Sequence, residues 1–317
     1  MQIISGRVHP GLAEEVAKLL DVPIHTVQLS NFSNGEISCR LGESVLDSDV
    51  FIFQSHGAPS INDAIMEQAI MIDAAKRASA RSITAVCPFL GYARQDRKSD
   101  GREPITARLV VDILAKAGAD RITSVDLHAG QIQGFFDGPF DHLIARPILV
   151  EYLKKNFKSE ELVVISPDAG RVKSAQRYAS SLGCEMAIIH KQRSTRVKDS
   201  VEAKYLLGDV KGKICVVTDD MIDTGGTICV AADLLAENGA KSVYCVATHG
   251  VFSDPALERI EKSAFTKVIV TNTLPSEPVA QSDKIVVLSI APLIADALSA
   301  IFTGKSLSAI FDGKNQF

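Results

Sequence analysis

The sequence predicts a doubly wound α/β protein built from two parallel-sheet domains. Three observations carry that expectation. Short runs rich in Val and Ile recur along the chain, helix-length segments alternate with them, and polar, glycine-containing stretches follow the runs. Runs that are apolar at consecutive positions suit strands buried on both faces, as in a parallel sheet. At 317 residues the chain exceeds one ordinary core. Two domains of roughly 150 residues each are the natural division.

In chain order the strand candidates are "QIIS", "DVFIFQS", "SITAVCP", "RITSVDLH", "LVVISPD", "ICVVTDD", "VYCVATHG", "KVIVTNT" and "IVVLSI". Helices are expected between them over 61–79, 104–117, 172–182, 227–238 and 291–302. This alternation defines the α/β class. "RITSVDLHAG" and "KSVYCVATHG" each follow a helix ending in Gly-Ala, in "AKAGAD" and "AENGAK". The repeat suggests two similar domains joined near residues 143–150. A Gly-Ala helix C-cap before a strand is also common, so both readings stand.

Composition narrows the function classes. A net charge of −4 supplies no broad field for nucleic acid or an anionic membrane, so a polyanion would need a local site. No uncharged run approaches a membrane span, and "MQIISGRVHPGL" lacks a basic segment followed by a long apolar one. The six cysteines (39, 87, 184, 215, 229 and 245) are widely spaced with no CxxC pair. They read as free thiols in a reducing compartment, and a cytoplasmic location is expected.

The chemistry should lie where strands end. In "VVTDDMIDTGGTI", residues 216–228, an apolar run meets Asp219, Asp220 and Asp223, then Thr224, Gly225, Gly226 and Thr227 open a helix. Glycines let backbone N–H groups turn around an anion, and the threonines add hydroxyl donors. A phosphate monoester fits this cradle; a plain N-capped turn is the simpler alternative. The paired acids suit sugar hydroxyls, or magnesium reached through water. No lysine marks a Walker A loop.

"FLGYARQDRKSDGREPITARL", residues 89–109, gathers Arg94, Arg97, Lys98 and Arg102 around Asp96 and Asp100, with Pro104 near a helix start. Guanidinium groups in such number fit a nucleotide polyphosphate, although a solvated, self-paired cluster has the same composition. In "DLHAGQIQGFFDGPFDHL", residues 126–143, His128 follows a strand by a short step, with Asp126 two residues before it. A lone histidine is more often structural than a ligand. Any metal role for His128 would accompany oxygen ligands from phosphates and water.

The acidic strand end and DTGGT loop resemble the phosphoribosyl-pyrophosphate loop of type I phosphoribosyltransferases. Together, "GYARQDRK", "REPITA", "DLHAGQIQGFFDGPFDHL", "SPDAG", "DDMIDTGGTI" and "ENGAK" have the order and spacing of the ribose-phosphate pyrophosphokinase family. The likeness runs from about Ser30 to Phe311. "NFSNGEI" and "SLSAIF" resemble its phosphate-activated, ATP-using class I branch.

The resemblance implies two domains of type I phosphoribosyltransferase-like fold, over residues 1–145 and 146–300, with a 301–317 tail returning to the first. It implies transfer of the β,γ-pyrophosphoryl group of ATP to the C1 hydroxyl of ribose 5-phosphate, with Mg2+. Asp219, Asp220, Asp223, Thr224, Gly225, Gly226 and Thr227 would hold ribose 5-phosphate. Arg94, Gln95, Asp96, Arg97 and His128 would hold ATP, with Phe32, Asn34 and Glu36 reaching the adenine of a neighbouring subunit. Asp168, Ala169, Gly170 and Arg171 correspond to the pyrophosphate loop, and His128 and Asp168 to metal-associated positions.

"HKQRSTRVKDS" corresponds to the mobile catalytic loop, with Lys191 and Arg193 as its catalytic cations. Without the family that segment reads as a solvated basic loop. A homo-oligomer is implied, a hexamer by family expectation, with phosphate and ADP as effectors near Ser44, Arg102, Ser306 and Ser308. Three positions depart from the family pattern. Arg171 stands where a second glycine is common, Gln192 where an arginine is frequent, and Leu46 where an effector-binding arginine is usual.

Two other functions share some of these features. A phosphoribosyltransferase would have the DTGGT loop but usually about 200 residues and one such domain; it leaves "ARQDRK" and "DLHAGQIQGFF" unexplained. A non-catalytic regulatory homologue would be expected to interrupt the loops, whereas Lys191, Arg193, His128, Asp168 and 219–227 are all present.

Overall fold

The computed structural model describes residues 1–192, 203–275, 279 and 282–308. It divides into two compact units: Met1–Ala145 with Thr273–Pro275 and Ser289–Phe317, and Arg146–Asn272 with Ser276–Leu288.

The first unit contains β1 (Gln2–Ser5), α1 (Pro10–Leu19), β2 (Ile24–His25), β3 (Val27–Asn31), β4 (Ile37–Leu41), β5 (Asp49–Phe53), α2 (Ile61–Arg77), β6 (Ser82–Cys87), α3 (Thr106–Ala117), β7 (Arg121–Val125) and β8 (Phe140–Leu143). Its sheet is parallel in the order β2-β1-β5-β6-β7-β8. β3 and β4 pair antiparallel as a separate hairpin.

The second unit contains α4 (Arg146–Asn156), β9 (Leu162–Ser166), α5 (Val172–Leu182), β10 (Glu185–Gln192), β11 (Ala203–Leu207), β12 (Ile214–Ile222), α6 (Gly226–Glu237), β13 (Ser242–Gly250), α7 (Ala256–Lys262), β14 (Phe265–Thr271) and β15 (Ile285–Leu288). The strand order is β11-β10-β9-β12-β13-β14-β15, and only β11 runs antiparallel to its neighbour. The last helix, α8 (Ala291–Thr303), belongs to the first unit, so residues 289–300 group there rather than with the second domain. There Ser289 Oγ donates to Glu15 Oε1 at 2.6 Å.

Consecutive residues of β12 explain why its sequence lacks alternation. Cys215 and Val217 pack with Ile228, Ala232 and Leu235 of α6 on one face. Val216 packs with Ala175 and Ala179 of α5 and Leu149 and Leu153 of α4 on the other. Both faces are covered, as a central parallel strand requires.

The Gly-Ala dipeptides both end helices. Gly118 (φ +127) follows α3 and Gly239 (φ +83) lies one residue past the Asn238 cap of α6. Both take left-handed backbone, where a Cβ is costly. All six cysteines are free thiols.

Candidate functional site

In the second unit the chain leaves β9 toward β10 on one side, while β12 lies on the other. Such a reversal of strand order opens a crevice at the carboxyl ends of the strands. The register sharpens the picture. β12 pairs with β9 only as far as Val217, opposite Ile165, but continues to Ile222 beside β13. Asp219 and Asp220 therefore stand within β12, on the stretch that has outrun β9.

The turn after β9 faces this stretch. Asp168 Oδ1 accepts from Arg171 N at 3.0 Å, closing a short turn before α5. Arg171 Nε lies 3.2 Å from Asp219 Oδ1, and Arg171 Nη2 donates to Asp220 Oδ1. The same carboxylate oxygens accept backbone N–H groups, Asp220 N to Asp219 at 2.9 Å and Met221 N to Asp220 at 2.9 Å. Burial first, then the adjacent Asp220 charge, push the Asp219 carboxyl up to about 7, against the pull of Arg171.

Five residues past Asp220, Gly225 adopts φ +71 and starts α6 with no side-chain cap. The first-turn N–H groups of Gly226, Thr227 and Ile228 lack intrahelical acceptors, which makes an anion cradle with the helix dipole behind it. Arg259 of α7, which the sequence reading missed, donates from Nη1 to Thr224 O at 2.9 Å. A Cβ at Gly226 would stand 3.3 Å from the same nitrogen. A guanidinium thus borders the cradle. Nothing local in the sequence flags it, because the contact spans 35 residues.

In the first unit the arginine-rich loop is ordered by its uncharged and acidic members. Thr106 Oγ1 donates to Gln95 Oε1 at 2.5 Å, Ala107 N donates to Gln95 O at 3.1 Å, and Gln131 Nε2 donates to Asp96 Oδ2 at 2.5 Å. The last contact joins "ARQDRK" to the segment that follows His128. Glu103 accepts from the N–H groups of Asp100 and Ser99, which hold its carboxyl below the usual range. Arg94 and Arg97 are exposed, His128 is half-buried, and Arg102 has φ +69.

His128 belongs to the first unit and Asp168 to the second. Among the described residues no cluster of three or more His, Cys, Asp or Glu side chains could hold a metal ion. Asp168 offers a carboxylate oxygen, the donor type taken by a hard cation that keeps waters and substrate oxygens, as magnesium does.

Phe32, Asn34 and Glu36 occupy the exposed tip of the β3–β4 hairpin, with Asn34 Oδ1 accepting from Glu36 N at 3.2 Å. Ser44 Oγ accepts from Leu46 N, and Ser306 Oγ from Ser308 N. Leu46 is 67% exposed. Lys191 lies near the end of β10, its backbone opposite Lys204. Arg193 and the rest of the expected catalytic loop, to Ser200, fall outside the described residues.

Two doubly wound units, one bearing a DTGGT turn at a helix start, define an α/β protein of the type I phosphoribosyltransferase-like class. Residues 1–118 match the N-terminal domain of ribose phosphate pyrophosphokinase, and 203–312 match the phosphoribosyl synthetase-associated domain. The ribose-phosphate pyrophosphokinase of Streptomyces coelicolor is 54% identical over 312 residues, covering 98% of this chain and 96% of that protein. That of Corynebacterium glutamicum is 53% identical over 315 residues, covering 99% and 96%. The crystal structure of phosphoribosylpyrophosphate synthetase from Mycobacterium smegmatis superposes with a TM-score of 0.90 at 53% identity, covering 96% of this chain and 99% of that one. The chain belongs to the ribose-phosphate pyrophosphokinase family and is an enzyme.

Proposed function

We propose that this chain transfers the β,γ-pyrophosphoryl group of ATP to the C1 hydroxyl of ribose 5-phosphate, giving 5-phosphoribosyl 1-pyrophosphate and AMP. The C1 oxygen bonds to Pβ as the bond from Pβ to the α,β-bridging oxygen breaks; that oxygen leaves on AMP, and the hydroxyl proton passes to solvent. The observation that carries the reading is the run from Asp219 to Thr227, an acid pair followed at once by an uncapped helix N-terminus. Sugar hydroxyls donate to carboxylates and a phosphate monoester accepts N–H groups, so one molecule with both ends satisfies the run.

Asp219 and Asp220 take the ribose hydroxyls, and Asp223, Thr224, Gly225, Gly226 and Thr227 take the 5-phosphate. Arg94, Gln95, Asp96 and Arg97 take ATP, with His128 near its phosphates. Phe32, Asn34 and Glu36 serve the adenine of a neighbouring subunit, which makes the working enzyme a homo-oligomer, a hexamer in our reading. The 59% exposure of Phe32 leaves its ring available for that contact. Lys191 and Arg193 bring positive charge to the migrating group as its bond to the α-phosphate breaks.

Asp168 in the second unit and His128 in the first are each magnesium-associated positions in this reading, completed by phosphate oxygens and water, and the metal would neutralise phosphate charge. Phosphate and ADP act as effectors near Ser44, Arg102, Ser306 and Ser308; a phosphate titration of activity reads whether Leu46 leaves that regulation intact. No described helix is long and apolar enough to cross a membrane. A cytoplasmic location, without nucleic acid or membrane partners, accords with the net charge of −4.

Incubation with ATP, magnesium and ribose 5-phosphate tests the reaction. AMP should form only when the sugar phosphate is present. ADP as the nucleotide product, or no reaction, would sink the reading.

A further inference from the structure

We propose that Arg171 is a positioning residue for the ribose end of the site, clamping Asp219 and Asp220 rather than binding pyrophosphate. The inference rests on the ribose 5-phosphate reading given above. Its position in sequence, inside "SPDAGR", points instead toward the pyrophosphate loop.

Both ends of the residue are fixed. The main chain is held where Asp168 Oδ1 accepts from Arg171 N at 3.0 Å. The head group is held by two acids, with Nε 3.2 Å from Asp219 Oδ1 and Nη2 on Asp220 Oδ1. Nε and Nη2 lie along one edge of the planar guanidinium, so a single rigid group meets both carboxylates. Each of those oxygens also accepts a backbone N–H, at 2.9 Å in both cases, so each acid is oriented by two donors. Only 23% of the arginine side chain is exposed.

Neighbouring carboxylates on one strand repel, and this pair stands where β12 has no β9 partner to its side. A cation between them holds both as acceptors and keeps them aimed. A glycine at this position would have no side chain to do so. A lysine would supply the charge without the fork, and a glutamine part of the hydrogen bonding without the charge.

Steady-state kinetics and calorimetry on Arg171→Gln and Arg171→Lys test this. We expect Arg171→Gln to raise the KM for ribose 5-phosphate by about tenfold or more, the loss expected when a hydrogen bond to a charged group goes. The KM for ATP should not change. Titration of ribose 5-phosphate into enzyme saturated with magnesium and AMP should show the same weakening, and Arg171→Lys should recover part of it. An unchanged affinity for ribose 5-phosphate in Arg171→Gln, or a rise in the KM for ATP instead, would overturn this proposal alone. Failure of the wild-type protein to form AMP would overturn the function and this proposal with it.

Discussion

Arg7 Nε lies 2.5 Å from Glu67 Oε2, and the Glu67 side chain is only 3% exposed. The other carboxylate oxygen accepts from Arg7 N and from Gln54 Nε2, both at 2.8 Å. Arg7 also donates through Nη1 to Asn31 Oδ1 at 2.7 Å. One arginine therefore neutralises a buried acid of α2 and pins the last residue of β3, next to the exposed hairpin tip. Replacing Arg7 with Gln should cost about 2 kcal/mol, the range for leaving a buried acceptor short of a donor. Urea unfolding would show it as a lower midpoint; an unchanged midpoint would mean that Gln54 and the backbone suffice for Glu67.

A second prediction concerns pH. Gln68 Nε2 donates to Ile52 O and Val86 O, which turns Gln68 Oε1 toward His56 Nε2 at 2.8 Å. His56 Nδ1 accepts from Gly91 N at 3.1 Å, so the neutral ring with its proton on Nε2 fits and a second proton does not. Burial lowers the His56 pKa from 6.5 to about 4. Between those values the unfolded chain binds the extra proton. Stability is full above pH 6.5 and falls toward pH 4, by about 1.4 kcal/mol per pH unit from this group. His56→Asn, although less stable at pH 8, should lose about 2 kcal/mol less than wild type between pH 6.5 and 5. Parallel losses in denaturant midpoints would contradict the assignment.

The third lies in the phosphate cradle. An added Cβ at Gly225 would meet Ala256 only at 3.6 Å, an ordinary contact, so space does not forbid alanine there. The φ of +71 does the work instead. Gly225→Ala should cost about 1–2 kcal/mol in stability. It should also raise the KM for ribose 5-phosphate, through the displaced N–H groups of the α6 start. A variant with normal KM would show that the phosphate does not depend on this turn.

The fourth follows from the family resemblance at "HKQRSTRVKDS". Lys191→Ala should reduce kcat by about 100-fold, as for loss of a charged transition-state contact. Its thermal unfolding should stay close to wild type. Near-normal turnover would show that this lysine does not meet the migrating group.

Much of this protein was legible because its signals are local. The expected helices 172–182 and 291–302 lie within a residue of α5 and α8, and "VVTDD" announced acids on a buried strand. Short elements with partial burial were not legible. β2 has two residues, and β3 alternates only between half-buried and exposed positions. The expected start at 104 missed because α3 begins at Thr106. The pairings Arg171–Asp220, Arg259–Thr224 and Arg7–Glu67 span 49, 35 and 60 residues, and no residue spacing reports them. They exist only once the strand order brings their elements together.

β9 is five residues long and β12 is nine. Had the two been equal, an extended partner would have covered Asp219 and Asp220 with main-chain atoms. The crevice in this unit is thus a difference in length between neighbours, a notch in the edge of the sheet. Inserting residues that prolong β9 would fill that notch without altering a single side chain inside it.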